Sequence, residues 1–317
     1  MLIPDLTDPD ALSEALAPLA MRPVGDPVTI GEDYGFASSL VRVAIAGDIG
    51  ERTAVVKAWS VVSHGTGEIT FYEQWAPLLP VRLAACFGGH SDGETGVLVL
   101  EDLPVARQGD AAEPIQPGDA GSIAGDIAAV HLATRGIEAD LPPPRASRDR
   151  EWHMSRRAAH LERHGTPVEP ALARIVEHSQ RAESIASQVL ADSTPGLIHG
   201  DVHADNIVYL RDGTPVVLDW ARPIWGPVAD PLGSLLLGSE SRGYRTAIEA
   251  VRSIEPVSDD EIHAGLLRRL VVATLGTAVW EPQTARQRRL VQVGVDQAGA
   301  AAKWLGDVAP ALIEALG

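Results

Sequence analysis

The stretch Leu197-Ile198-His199-Gly200-Asp201-Val202-His203-Ala204-Asp205-Asn206-Ile207-Val208-Tyr209-Leu210-Arg211-Asp212-Gly213-Thr214-Pro215-Val216-Val217-Leu218-Asp219-Trp220 constrains this chain more than any other. Two apolar runs flank Asp212-Gly213, a dipeptide that favours the tight turn of a two-residue β-hairpin. With those two as the turn, Arg211 faces Thr214 and the ladder places Asn206 directly opposite Asp219. An amide oxygen and a carboxylate one strand spacing apart can share a hard cation such as Mg²⁺, which prefers oxygen ligands and keeps waters for substrate phosphates. Asp201 stands five residues before Asn206, on the turn leading into the same hairpin. A plain surface hairpin accounts for the polar turn, but not for these three residues in register.

The rest of the chain supplies a setting for that hairpin. Its 317 residues suffice for one large or two medium domains, and a hydrophobic content of 45% allows a sizeable core. Residues 10–20 have the leucine spacing of a short leading helix. Leu40–Ile45 and Thr53–Trp59 read as antiparallel strands, 67–79 as a helix closed by Pro80, and Gly96–Glu101 as an apolar strand. Residues 104–120 are rich in breakers, and beyond them 118–135, 166–191, 230–252 and 258–305 have helical periodicity. The expectation is an α+β chain with a β-rich part over 1–102 and a mainly helical part over 103–317.

Charge and composition exclude several classes. Forty-three acids against 26 bases give a formal charge of −17, the wrong sign for general nucleic-acid binding. The single cysteine, Cys86, rules out an intramolecular disulfide, and His199 and His203 lack a third His or Cys nearby for a transition-metal cage. Leu270–Trp280 is far short of a membrane span, and Met1–Asp10 has no signal-peptide pattern, so a cytoplasmic setting is expected. Only Lys57 and Lys303 are lysines, the other basic residues being arginine. A lysine kept in an apolar strand of such a chain points to a need for a compact ammonium, as a phosphate contact would have.

His199-x-Asp201 with Asn206 five residues on, followed by Asp219, resembles the catalytic loop and metal-binding aspartate of kinases. More closely, the chain resembles the aminoglycoside phosphotransferase and choline kinase family over about Thr29 to Leu236, through Lys57, Glu-x-x-Phe-Tyr at 68–72, Leu-Val-Leu-Glu-Asp-Leu at 98–103, His-Gly-Asp at 199–201 and Leu-Asp-Trp at 218–220. Gly200 stands where protein kinases have arginine, Trp220-Ala221 replaces Phe-Gly, and no Ala-Pro-Glu follows, which disfavours protein substrates and activation-loop control.

The resemblance implies a protein-kinase-like two-lobe fold and transfer of a γ-phosphoryl group from ATP, or GTP, to a small-molecule hydroxyl. In that reading Asp201 receives the hydroxyl proton, His199 is a structural member of its loop, and Asn206 and Asp219 hold Mg²⁺. Lys57 contacts the phosphates and is braced by Glu68, with Glu73 the alternative partner. Gly35 and Ser38, in the loop Gly31–Ser39, cover the phosphates, although that loop is not Gly-x-Gly-x-x-Gly. Glu101 to Leu103 supplies main-chain groups to adenine. Asp205 braces the loop or helps hold a second metal, and Asp230 is a supporting brace. The acceptor reads as a hydroxylated antibiotic, with Trp152, Trp220, Trp225, Trp280 and Trp304 available to a pocket or to the core. A housekeeping kinase for a sugar, amino alcohol or choline-like compound, or a catalytically silent nucleotide sensor, are the alternatives.

Overall fold

A computed structural model of the chain describes residues 3–30, 38–48, 50–137 and 149–317. Contact density divides the chain into one unit of 1–107 with 208–223, and another of 108–207 with 224–317. The hairpin strands at 208–223 thus return to the first unit, whereas sequence order alone grouped them with the helical part.

In the first unit, α1 (Pro9–Leu16) starts with Asp8 accepting from the Asp10 amide and with proline at its first position, where no N–H is needed. A six-stranded sheet follows, formed by β1 (Arg22–Pro23), β2 (Val28–Thr29), β3 (Ser38–Ala46), β4 (Arg52–Ser60), β5 (Cys86–Ser91) and β6 (Thr95–Glu101). Its strands run β1-β3-β4-β6-β5, with β2 added on β3. Strand alternation sends Val41, Val43, Ile45, Val56, Val97 and Val99 to one face, where Leu6, Leu12 and Leu16 cover them. Lys57, between Val56 and Ala58 on β4, therefore takes the opposite face, level with Leu40 and Leu98.

That face is covered by the segment expected as one helix over 67–79. After α2 (Val61–His64) it begins as α3 (Gly67–Thr70), widens into a π turn over Phe71–Trp75, and tightens to a 3₁₀ turn at Ala76–Leu78, with Pro77 near its start. Such π turns are local departures often found at functional sites. The buried Ile69 sits over β5, where a Cβ on Gly89 would meet its Cγ2 at 3.0 Å.

The hairpin is present, but its register differs from the expectation. Ile207–Leu210 and Pro215–Val217 pair, and Ile207–Leu210 also pairs with β7 (Val105–Gln108). The Gly213 amide donates to Leu210 O at 2.9 Å, and the Leu210 amide to Thr214 O at 2.9 Å. The turn therefore has three residues, Arg211 to Gly213, with Gly213 at φ 86°. This shifts the ladder by one residue, so the register that set Asn206 opposite Asp219 does not hold. The two residues fall in different units.

The second unit is helical, as the periodicity predicts. It comprises α4 (Pro117–Thr134), α5 (Arg150–His164), α6 (Pro170–Glu177), α7 (Ser179–Val189), α8 (Ala229–Gly238), α9 (Ser241–Ile254), α10 (Asp259–Gly276), α11 (Ala285–Val308) and α12 (Pro310–Glu314). A short ladder of Gly196–Ile198 with Ile224–Gly226 delivers the chain to His199. Ser258 and Glu261 cap α10 reciprocally. α8 and α10 meet through glycine: a Cβ on Gly233 would strike Gly265 O at 2.5 Å, and one on Gly265 would strike Ala229 O. No helix of the described residues is long and apolar enough to cross a membrane.

Candidate active site

In the first unit the site is built around one ammonium. Lys57 Nζ lies 2.6 Å from Glu68 Oε2 and 2.6 Å from Asp219 Oδ1. The Lys57 and Glu68 side chains are 13% and 3% exposed, while that of Asp219 is 44% exposed. Burial opposes the charge on Lys57, but the two carboxylates outweigh it and hold its pKa above the ordinary lysine value. Glu68 is pushed up by its own burial, against the pull of Lys57. Glu73 is exposed and Glu68 is the carboxylate beside Lys57.

Asp219 is fixed by its neighbours. Its φ is 61°, in the left-handed region that aspartate tolerates better than most side chains and that often marks functional positions. Trp220, next in sequence, stacks on Phe71 with ring centroids 4.1 Å apart and donates from Nε1 to Val217 O at 3.1 Å. Phe71 lies about one turn beyond Glu68, so one segment contacts both Lys57 and the residue after Asp219. Gly67 completes the fit, since a Cβ there would meet Ala221 O at 2.9 Å.

Two further residues named from sequence belong to this unit. Glu101 receives Arg82 Nη2 at 2.6 Å and the Ala85 amide at 3.1 Å through its carboxylate. Its own amide donates to Ala85 O, and Leu103 O accepts from the Val105 amide, both at 2.8 Å. Leu103 is buried in a cluster with Ala84, Val208, Leu210 and Val216. Ser38 pairs with Trp59 across β3 and β4, and Gly35 lies outside the described residues.

The second unit holds the loop after Ile198. Gly200, at φ 80°, turns the chain so that the Asp201 amide donates to Nδ1 of the buried His199 at 3.2 Å. Nδ1 must then be unprotonated, which puts the proton of a neutral ring on Nε2. Asn206 Nδ2 donates to Asp201 O at 3.0 Å. The bond commits the Asn206 Nδ2 to the loop backbone and leaves Oδ1 as the acceptor end of the amide. The Asp201 carboxylate is 39% exposed, with His203 Nε2 at 3.9 Å.

Around this loop the structure adds braces. Asp205 Oδ1 accepts from the Ala111 amide at 2.7 Å and from Arg286 Nη2 at 2.9 Å, which occupies it as an anchor. Asp230 receives Arg268 Nη1 on both oxygens, at 2.9 and 2.7 Å, and burial still pushes its carboxyl upward. Arg269, which the sequence reading missed, has a buried Nε with no hydrogen-bond partner. Burial lowers its pKa while Asp201 and Asp230 favour its charge. Its signal was present as a tandem arginine set between the apolar pairs Leu266-Leu267 and Leu270-Val271.

The profile of APH, the phosphotransferase enzyme family, matches residues 63–266, well over half of the chain. The chain belongs to this family. The phosphotransferase is accordingly an enzyme of the small-molecule kinase type, with a hydroxyl as phosphate acceptor. No curated protein sequence matches it.

Solved structures resemble the phosphotransferase along nearly its whole length. A microcompartment-associated aminopropanol kinase gives a TM-score of 0.62 at 15% identity, covering 94% of this chain and 98% of that one. Spectinomycin phosphotransferase APH(9)-Ia, in complex with ADP and spectinomycin, gives 0.61 at 11%, covering 96% and 99%. The macrolide 2′-phosphotransferase MphH from Brachybacterium faecium gives 0.56 at 18%, covering 92% and 97%. These similarities establish a protein-kinase-like α+β fold for the phosphotransferase.

Proposed function

We propose that this phosphotransferase uses ATP and Mg²⁺ to phosphorylate a hydroxyl of an antibiotic, as a resistance or self-protection kinase of the cytoplasm. The observation that carries the nucleotide part is the placement of Lys57 Nζ 2.6 Å from both Glu68 and Asp219. A buried strand lysine held charged by two carboxylates has a use wherever a polyphosphate must be gripped. GTP would meet the same groups.

The donor set fits a hard cation. Asp219 offers a partly exposed carboxylate and Asn206 a side-chain amide oxygen, both of the oxygen type that Mg²⁺ prefers. Mg²⁺ held there would neutralise charge on the phosphate oxygens. Asp201 Oδ receives the proton of the acceptor hydroxyl, and the His199 ring and Asn206 amide hold the backbone that carries it. Lys57 donates to the nonreacting phosphates while Glu68 fixes the ammonium. Because the transition state is largely dissociative, positioning and charge neutralisation account for most of the acceleration.

The antibiotic reading draws on the spectinomycin and macrolide enzymes among the structural neighbours. The aminopropanol kinase neighbour favours a second reading, a small amino alcohol or sugar as acceptor. Incubation with ATP and Mg²⁺ against hydroxylated antibiotics, nucleosides, sugars and amino alcohols, read by mass spectrometry, separates the two. A phosphorylated antibiotic made by the wild type and not by Asp201→Asn supports the proposal. A phosphorylated amino alcohol or sugar alone replaces it with the second reading.

A further inference from the structure

The helical unit holds a second group of reactive side chains that phosphoryl transfer leaves unused. α5 and α7 bring together His153, Ser179 and Glu183, each 3% exposed. Ser179 Oγ lies 3.0 Å from His153 Nδ1, and His153 Nε2 lies 2.8 Å from Glu183 Oε2. Nε2 and Oε2 meet as a charge contact without the alignment of a hydrogen bond, so Glu183 acts on the ring through its charge, favouring the imidazolium that forms when Nδ1 takes a proton from the hydroxyl. A hydroxyl, an imidazole and a carboxylate are thus in successive contact, the groups that together activate a serine.

Two more features stand beside it. Ser179 is the first residue of α7, and no side chain caps that helix. The first N–H groups of a helix lack intrahelical partners and lie at the positive end of its dipole, as an oxyanion requires. A cavity of about 270 Å³ is lined by Ser179 and His153 together with Gln180, Arg150, Arg157 and Arg181. Glu177 also lines it, but Arg157 Nη1 sits 3.2 Å from its carboxylate. In a chain of formal charge −17, three arginines around one cavity reverse the local sign.

We propose that Ser179 is an activated nucleophile in a second site that takes the acyl group of an ester bearing a negative charge. Ser179 Oγ attacks the ester carbonyl carbon and its proton passes to His153 Nδ1. The C–O bond to the alcohol breaks, the alkoxide takes that proton, and the acyl group remains on Ser179. Water then attacks the acyl-serine, giving the carboxylic acid and restoring the serine hydroxyl. The arginines hold the anionic part of the acyl chain. No oxidant or further reactant is needed.

The test uses the full chain with 4-nitrophenyl acetate, its succinate half-ester and a fluorophosphonate. Turnover of the succinate ester should exceed that of the acetate and fall at least about 100-fold in Ser179→Ala. The fluorophosphonate should place one phosphonyl group on Ser179, with loss of fluoride, and His153→Gln should slow that labelling by a similar factor. Equal turnover by wild type and Ser179→Ala, or absence of a Ser179 adduct in the wild type, overturns the nucleophile. Equal rates on the two esters overturn the anionic preference. The adduct decides the matter on the wild type even if the alanine variant fails to fold.

Discussion

The indole of Trp220 lies flat against the ring of Phe71, with centroids 4.1 Å apart and planes 5° apart. The contact joins the segment that carries Glu68 to the residue after Asp219, so packing there supports the geometry of the Lys57 cluster. Phe71 is fully buried, and Phe71→Ala should cost about 3–5 kcal/mol in a urea melt. Trp220→Phe keeps an aromatic face and should cost less. Equal losses from the two substitutions would show that the stacking adds nothing beyond burial.

On the proposed mechanism Asp201→Asn should lower kcat by about 10²–10⁴ while ATP affinity stays within a few fold, because that mechanism assigns the group a proton and no nucleotide contact. Isothermal titration beside steady-state kinetics checks both halves. A parallel loss of nucleotide binding would move Asp201 from proton acceptor to structural support.

Removing the Lys57 ammonium leaves Glu68, 3% exposed, beside Asp219 with nothing between them. Lys57→Met should therefore destabilise the fold by about 3–5 kcal/mol, the range for breaking one side of a buried pair. The second change Glu68→Gln should recover part of that, since the stranded charge is gone. Additive losses in the double variant would contradict the pairing.

Asp126 on α4 is raised from 3.8 to about 6 by burial. Its folded pKa exceeds its unfolded one, so its contribution to stability is greatest below pH 3.8 and is lost as pH rises through about 6. Asp126→Asn should thus stabilise the chain at pH 8 by about 1–2 kcal/mol, after allowance for partial solvent screening, and have little effect at pH 4. Denaturant melts at the two pH values measure the difference.

Gly265→Ala sets two effects against each other. Helix propensity favours alanine by about 1 kcal/mol, but the new methyl would drive into Ala229 O across the α8–α10 contact. Overpacking costs about 1–3 kcal/mol or more, and the obstacle is backbone, so a fall in melting temperature is expected. A rise would mean that the two helices part without penalty.

Much of the frame was legible because burial follows sequence period. Val41, Val43 and Ile45 alternate with polar or half-buried neighbours on β3, and Lys57 stood out as a lysine in an arginine-rich chain. The hairpin was legible but its register was not: Asp-Gly serves both a two-residue turn and a three-residue turn with glycine left-handed, and only the bond from Leu210 to Thr214 separates them. α5 was invisible to periodicity because its buried residues, His153 and His160, are both polar and leave no apolar stripe. The π turn at Phe71–Trp75 was not legible because its buried Phe71, Tyr72 and Trp75 have a spacing that a regular helix also accommodates.

The backbone at Asp219, with φ 61°, filters substitutions twice. The Lys57 ammonium asks position 219 for an acidic oxygen, while handedness penalises almost every side chain except glycine, asparagine and aspartate, by about 1–2 kcal/mol. Only asparagine keeps both the shape and the torsion, and it surrenders the charge. Mutational drift at this codon therefore has one structurally quiet exit, which leaves a stable fold with its negative charge at that point erased.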